Sequence, residues 1–169
     1  MNKAYTALIT LPASAMHMIS QLQAEGIDLT KLTLDHACWR CDSTDEYQTL
    51  YHDFMQLADV ISSHAIIAGT RISIFKLHKP IIISNTYSID VIEIPDVKVG
   101  SPYPSGWEHI ELTTENLDHF QKQYKHLYMD TRGLDAAHHP SISYKLKHRQ
   151  KVKFNNLLLL KKIEQEQSK

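Results

Sequence analysis

"GWEHIEL", Gly106 to Leu112, is the stretch on which the reading of this chain turns. Successive side chains of a strand point to opposite sides, so His109 and Glu111 share one face while Ile110 and Leu112 share the other. The apolar face is made for a core. The other carries an imidazole and a carboxylate, and a polar sheet face either meets water or lines a site.

Working outward from that strand, a similar order of elements occurs on both sides of the Gly-, Ser- and Pro-rich linker "VGSPYPSG", Val99 to Gly106. Before the linker, "LTLDHACWRC" (Leu32 to Cys41) reads as a strand, and Ser43 followed by Glu46 is a capping-box start for a helix running to about Val60. "VISSHAIIAGTRISIFKLHKP" reads as two strands about a turn at Gly69, ended by Pro80, and "TYSIDVIEIP" as a further strand closed by Pro95. After the linker, "WEHIELTT" is a strand and Asn116 to Tyr128 a helix, with Leu117, Phe120, Tyr124 and Leu127 on one side. "SISYKLKHRQKVKFNN" reads as a hairpin turning near His148 to Gln150. A remaining strand of this second half has to lie within "YMDTRGLDAAHHP". Met16, Ile19 and Leu22 recur at helical spacing between Pro12 and Gly26, so the first thirty residues read as one or two helices, and Leu157 to Gln165 as a short amphipathic helix.

The composition narrows the function classes. A chain of 169 residues with 18 basic and 19 acidic side chains has no electrostatic footprint for nucleic acid or an anionic membrane, which leaves small neutral or acidic ligands. No run approaches the roughly 20 apolar residues of a membrane span. With no signal segment at its start and only two cysteines, the chain is expected in the cytoplasm. Eleven histidines make metal binding worth pursuing.

The first strands of the two halves each place a histidine, His36 and His109, at a comparable point. Glu93 stands alone in the apolar run "SIDVIEIP", and a lone carboxylate is costly to bury unless a cation or metal satisfies it. If the halves pair, two imidazoles and one carboxylate could meet. Such a set with open positions suits divalent iron and accommodates manganese, nickel, cobalt or zinc.

"DHACWR", "FKLHKP", "SIDVIEIP" and "YPSGWEHIEL", in that order, resemble the YecM family of the vicinal oxygen chelate superfamily over roughly residues 30 to 156. The resemblance implies an α+β fold in which two strand-helix-strand-strand-strand modules, about 31–96 and 105–156, form one domain (31–169). That domain would be a cupped, mostly antiparallel sheet around a metal, preceded by a helical segment over 1–30. Superfamily members include glyoxalases, epimerases, extradiol dioxygenases and thiol transferases. Their ligands come from the first and fourth strands of each module, which here match His36, Glu93, His109 and a position near Asn155. Asn155 departs from the usual glutamate or histidine, so the expected set is three protein ligands, His36, Glu93 and His109, plus water.

Further roles follow from placement. Glu111 shares the face of His109 and is a candidate general base or partner orienting a ligand, with an ordinary ion pair, for example to Arg40, as the alternative. Arg40, on the face of His36, suits a substrate carboxylate or phosphate, and Lys153 could help bind an anion. Cys38 and Cys41 in "CWRC" lack the second pair a zinc site would want, and point to opposite faces if Cys38 is still in the strand. His78, His138 and His139 read as surface residues, and Trp39 and Trp107 as packing under helices. Two functions fit. One is an isomerase, lyase or dioxygenase that uses a divalent metal as Lewis acid on a small oxygen-bearing substrate. The other is a non-catalytic module for a small molecule or partner, with a vestigial or structural metal. A homodimer is expected only because symmetric dimers are common.

Overall fold

The computed structural model describes residues 2–67, 69–97, 100, 103–135 and 140–168, with the side chains of His64 and Ile67 excepted. The fold is α+β and divides into two compact units, Met1–Met16 with His36–Glu108, and His17–Asp35 with His109–Lys169.

In the first unit, β1 (Thr33–Arg40, from His36 onward) leads into α2 (Thr44–Phe54), β2 (Ala58–Ile67), β3 (Thr70–Ile82) and β4 (Ser88–Pro95). The strand order is β2-β3-β4-β1, with β1 parallel to β4 and the other neighbours antiparallel. Helix α2 starts where expected. The Ser43 hydroxyl accepts from the Glu46 amide at 3.2 Å, and the Glu46 carboxylate accepts from the Asp42 amide at 2.8 Å. It ends at Phe54, short of Val60, because Ala58 onward pairs with β3 from Leu77, and β-branched Val60 and Ile61 suit the sheet. Tyr47, Leu50 and Phe54 are fully buried on its inner side, where Phe54 stacks on Phe75 at 5.2 Å. Strand β3 does not stop at Pro80 but continues to Ile82. Its ladder with β4 shifts between Lys76 and Ile81, and such an irregularity admits a residue with no N–H to donate.

The amino-terminal segment is one helix, α1 (Lys3–Ala24), with Pro12 inside it, longer than the spacing after Pro12 predicts. Apolar contacts outweigh the lost hydrogen bond: Ala4, Leu11, Ala15, Met18 and Leu22 are all fully buried. In the first unit, Trp107 donates its indole N–H to the Ala7 carbonyl at 3.3 Å and the Thr10 hydroxyl at 3.1 Å, and meets Trp39 edge-on at 5.1 Å. Both tryptophans pack as expected.

Lys3 also closes a polar cluster. Its ammonium lies 2.9 Å from Glu46, whose carboxylate accepts from Ser105 at 2.5 Å. Burial alone would raise the Glu46 pKa, but the Ser105, Asp42 and Lys3 contacts overcome it and hold the group below its ordinary 4.5. A depressed folded-state pKa means the contribution is full above about 4.5 and is lost as pH falls through the lower folded value. The facing titratable groups are Lys3, Asp42 and Cys41, and burial pushes the Cys41 thiol far up, so it stays uncharged. Urea unfolding should therefore show the wild type more stable than Glu46→Gln at pH 7, with the difference shrinking by pH 3. A difference constant over that range would contradict the assignment.

In the second unit, β5 (Gly106–Thr113, from His109 onward) is followed by α3 (Leu117–Gln123), β6 (Met129–Asp130), β7 (Ile142–Lys145), β8 (Lys151–Asn155) and α4 (Leu159–Gln167). The order is β5-β8-β7-β6, again with one parallel pair, β5 with β8. Asn116 caps α3, which ends before Tyr128 because Tyr124 leaves helical geometry and its buried hydroxyl accepts from the Asp28 amide at 2.9 Å. The strand sought in "YMDTRGLDAAHHP" is two residues long. The β7–β8 turn falls at His148 and Arg149, both with positive φ. Helix α4 has no cap from its own segment. The buried Asp35 carboxylate accepts from the Leu159 amide at 3.0 Å and takes that part. Among the described residues no helix is long and apolar enough to cross a membrane.

Candidate functional site

On β1, His36, Cys38 and Arg40 alternate onto one side, and Cys38 lies in register with Glu93 of β4. The Nε2 of His36 is 3.3 Å from Glu93 Oε2, with the imidazole 1% exposed and the carboxylate side chain 15% exposed. This pair joins two of the residues expected to hold a metal. On the side of β3 and β4, Ile74 lies in register with Glu93, and Ile74 and Val91 are buried.

Farther along β1, Arg40 donates from Nη2 to Glu108 at 3.0 Å, and its guanidinium carbon lies 5.2 Å from the centre of the Tyr103 ring. Burial works against the charge of Arg40, but the Glu108 carboxylate more than offsets it and raises the pKa above the ordinary arginine value. The Cys38 thiol is 3.9 Å from the other Glu108 oxygen. Glu108 is a residue the alternation of "GWEHIEL" misassigns. Counted with Ile110 and Leu112, it belongs to the helix-holding face, yet it is buried and paired on the side of Cys38 and Arg40. A carboxylate at an apolar position was the available signal.

His109 and Glu111 are buried on β5 in the second unit. Glu111 has partners within its own unit. Its Oε1 lies 3.3 Å from Lys153, its register partner on β8, and its Oε2 accepts from the Asn155 amide at 2.9 Å. The Asn155 carbonyl in turn accepts from the Thr113 hydroxyl at 2.9 Å and the Leu157 amide at 3.1 Å. Fully buried Asn155 is thus committed on both sides of its amide, and it orients Glu111. Lys153 also lines an open cleft of about 320 Å³ with Asp130, Arg132, Gly133, Ser141 and Ser143.

Cys38 and Cys41 are both buried thiols. His78 is exposed beside Asp59 at 3.4 Å. His138 and His139 lie outside the described residues.

Comparison with known proteins agrees with this architecture. The model of a family described as "YecM protein" matches residues 5–161. Protein YecM of Escherichia coli is 31% identical over 99 residues, 57% of this chain and 51% of that protein. An uncharacterized protein of Haemophilus influenzae is 32% identical over 87 residues, 51% of this chain and 44% of its own. These alignments span about half the length of either relative. Among solved structures, protein EC4020 superposes with a TM-score of 0.79 at 20% identity, covering 96% of this chain and 93% of that one. Methylmalonyl-CoA epimerase of Streptomyces coelicolor, in complex with 2-nitronate-propionyl-CoA, gives 0.51 at 15% identity, covering 74% and 97%. The fold is that of the vicinal oxygen chelate superfamily.

Proposed function

The chain belongs to the YecM family, and from that premise we propose that it binds a divalent metal through His36, Glu93 and His109 and acts on a small oxygen-bearing substrate. The observation that carries this reading is the separation of His36 Nε2 and Glu93 Oε2, 3.3 Å. Two donor atoms each about 2.1 Å from one ion, at 90–109° to one another, stand about 3.0–3.4 Å apart. The pair therefore fits neighbouring ligands of a cation, and its burial gives it reason to hold one. His109, buried on β5, supplies the third donor in this reading. Zinc, nickel, manganese, iron or cobalt would suit the donor set.

A bound divalent ion supplies Lewis-acid stabilisation of negative charge on a substrate oxygen. The chain's own part is to move a proton. Glu111 is the group for it, held at one oxygen by Lys153 and at the other by Asn155, so its carboxylate plane is set before substrate arrives. Arg40 and Lys153 are the cationic contacts for an anionic substrate. Proton transfer beside a carbonyl, of isomerase or lyase type, follows from a fixed carboxylate, and the fold is shared with a methylmalonyl-CoA epimerase. Cytoplasmic residence and a symmetric dimer belong to the same reading.

The test is exchange of substrate C–H for deuterium, followed by proton NMR in D2O. The protein would be reconstituted with each of the five metals and offered 2-oxo acids and hemithioacetals. Exchange is expected with at least one metal, falling by about a hundredfold or more in Glu111→Gln. No exchange with any metal would favour the non-catalytic binding module instead.

A further inference from the structure

Arg40 has more donor capacity than its visible partner uses. Its Nη2 serves Glu108, while its Nε is shielded from solvent and, among the described residues, has no hydrogen-bond partner. Leaving a buried charged donor unmet is costly, and arginine's fork is suited to two parallel bonds to one oxyanion. Glu108 and the Tyr103 ring brace the guanidinium, and 22% of the side chain stays exposed, so a ligand can reach it from water.

Arg40 also lies on the same side of β1 as His36, four residues along, with Glu93 in register between them at Cys38.

We infer that the substrate carries a second anionic group, a carboxylate or phosphate, beyond the oxygens bound near His36 and Glu93, and that Arg40 receives it. The head-group end of this inference rests on the metal site proposed above. The distal end rests on Arg40 alone. The substrate class is then a small diacid or phospho-acid, not a neutral hemithioacetal or a simple catechol.

Calorimetric titration of the full chain, with and without Mn2+, compares three probes that share a 2-oxo acid head: pyruvate, 2-oxoglutarate and 2-oxo-4-phosphonobutyrate. In the parent chain at least one probe with a distal anion should bind about tenfold tighter than pyruvate or better. Which of the two gains more separates carboxylate from phosphate recognition. Arg40→Met alone would strand the buried Glu108, so the decisive variant is Arg40→Met combined with Glu108→Gln, checked for fold by circular dichroism. It should lose the distal-anion advantage while its Mn2+ affinity stays within about twofold of the parent. Arg40→Lys, which keeps a charge without the fork, should retain part of the advantage.

An advantage that survives the double variant, or no advantage in the parent, overturns the inference. If Mn2+ binds to none of these chains, the metal reading fails by itself. Inorganic phosphate on the metal-free chain then decides: binding that depends on Arg40 upholds the inference, and its absence overturns it.

Discussion

A His36→Ala variant is expected to bind divalent metal about a thousandfold more weakly than the parent, or worse. Changing residues that merely orient ligands costs about 10–100-fold in metal affinity, and removing one of three donors must exceed that. His36 is also the donor with least slack. It is 1% exposed on β1, where Leu34 and Cys38, on the same side, are also buried. Glu93→Gln should fall less steeply, because an amide oxygen still offers a lone pair, although without the charge. Calorimetry with Mn2+, Ni2+ and Zn2+, alongside metal analysis of the purified variants, provides the measurement. Undiminished affinity in His36→Ala would remove it from the ligand set, and the same result in His109→Ala would remove that residue.

The second large effect concerns stability. Lys153→Met leaves Glu111, whose side chain is 1% exposed, without its ammonium partner. Breaking a buried ion pair from one side costs about 3–5 kcal/mol, and the quarter-exposed lysine brings this nearer to about 2–3 kcal/mol. Asn155, which still donates to Glu111, cannot neutralise the charge. Combining Lys153→Met with Glu111→Leu should recover most of the loss, since an apolar pair of similar volume often replaces a buried ion pair without penalty. Urea unfolding at pH 7 distinguishes these cases. If the double variant is as unstable as the single, Lys153 acts through packing and not through the charge of Glu111.

The sequence made some of this legible and hid the rest for physical reasons. His36 and Glu93 stood out because each interrupts a strand pattern, and a buried charge in an apolar run has few explanations. Their meeting at 3.3 Å then required only that β1 and β4 be neighbours, which the module order implies. The α+β fold followed from the strand patterns and from a capping box visible at Ser43. By contrast, which cation serves which carboxylate was not readable. Arg40 pairs with Glu108, and Lys153 with Glu111. Such choices depend on cross-strand register, which the alternation of residues leaves undetermined. Strand β6 could be narrowed only to "YMDTRGLDAAHHP", because two residues hold no pattern. Helix ends slipped where a tertiary contact intervened, as at Tyr124, whose hydroxyl is tied to Asp28.

The Asp35 carboxylate that caps the start of α4 has a temporal consequence. Its partner amide, Leu159, lies 124 positions later in the chain, so during synthesis the acid can have no helix to receive until that residue has left the ribosome. Closure over such a span is slow relative to local structure. The final helix should accordingly be among the last elements to acquire protection from amide exchange during refolding.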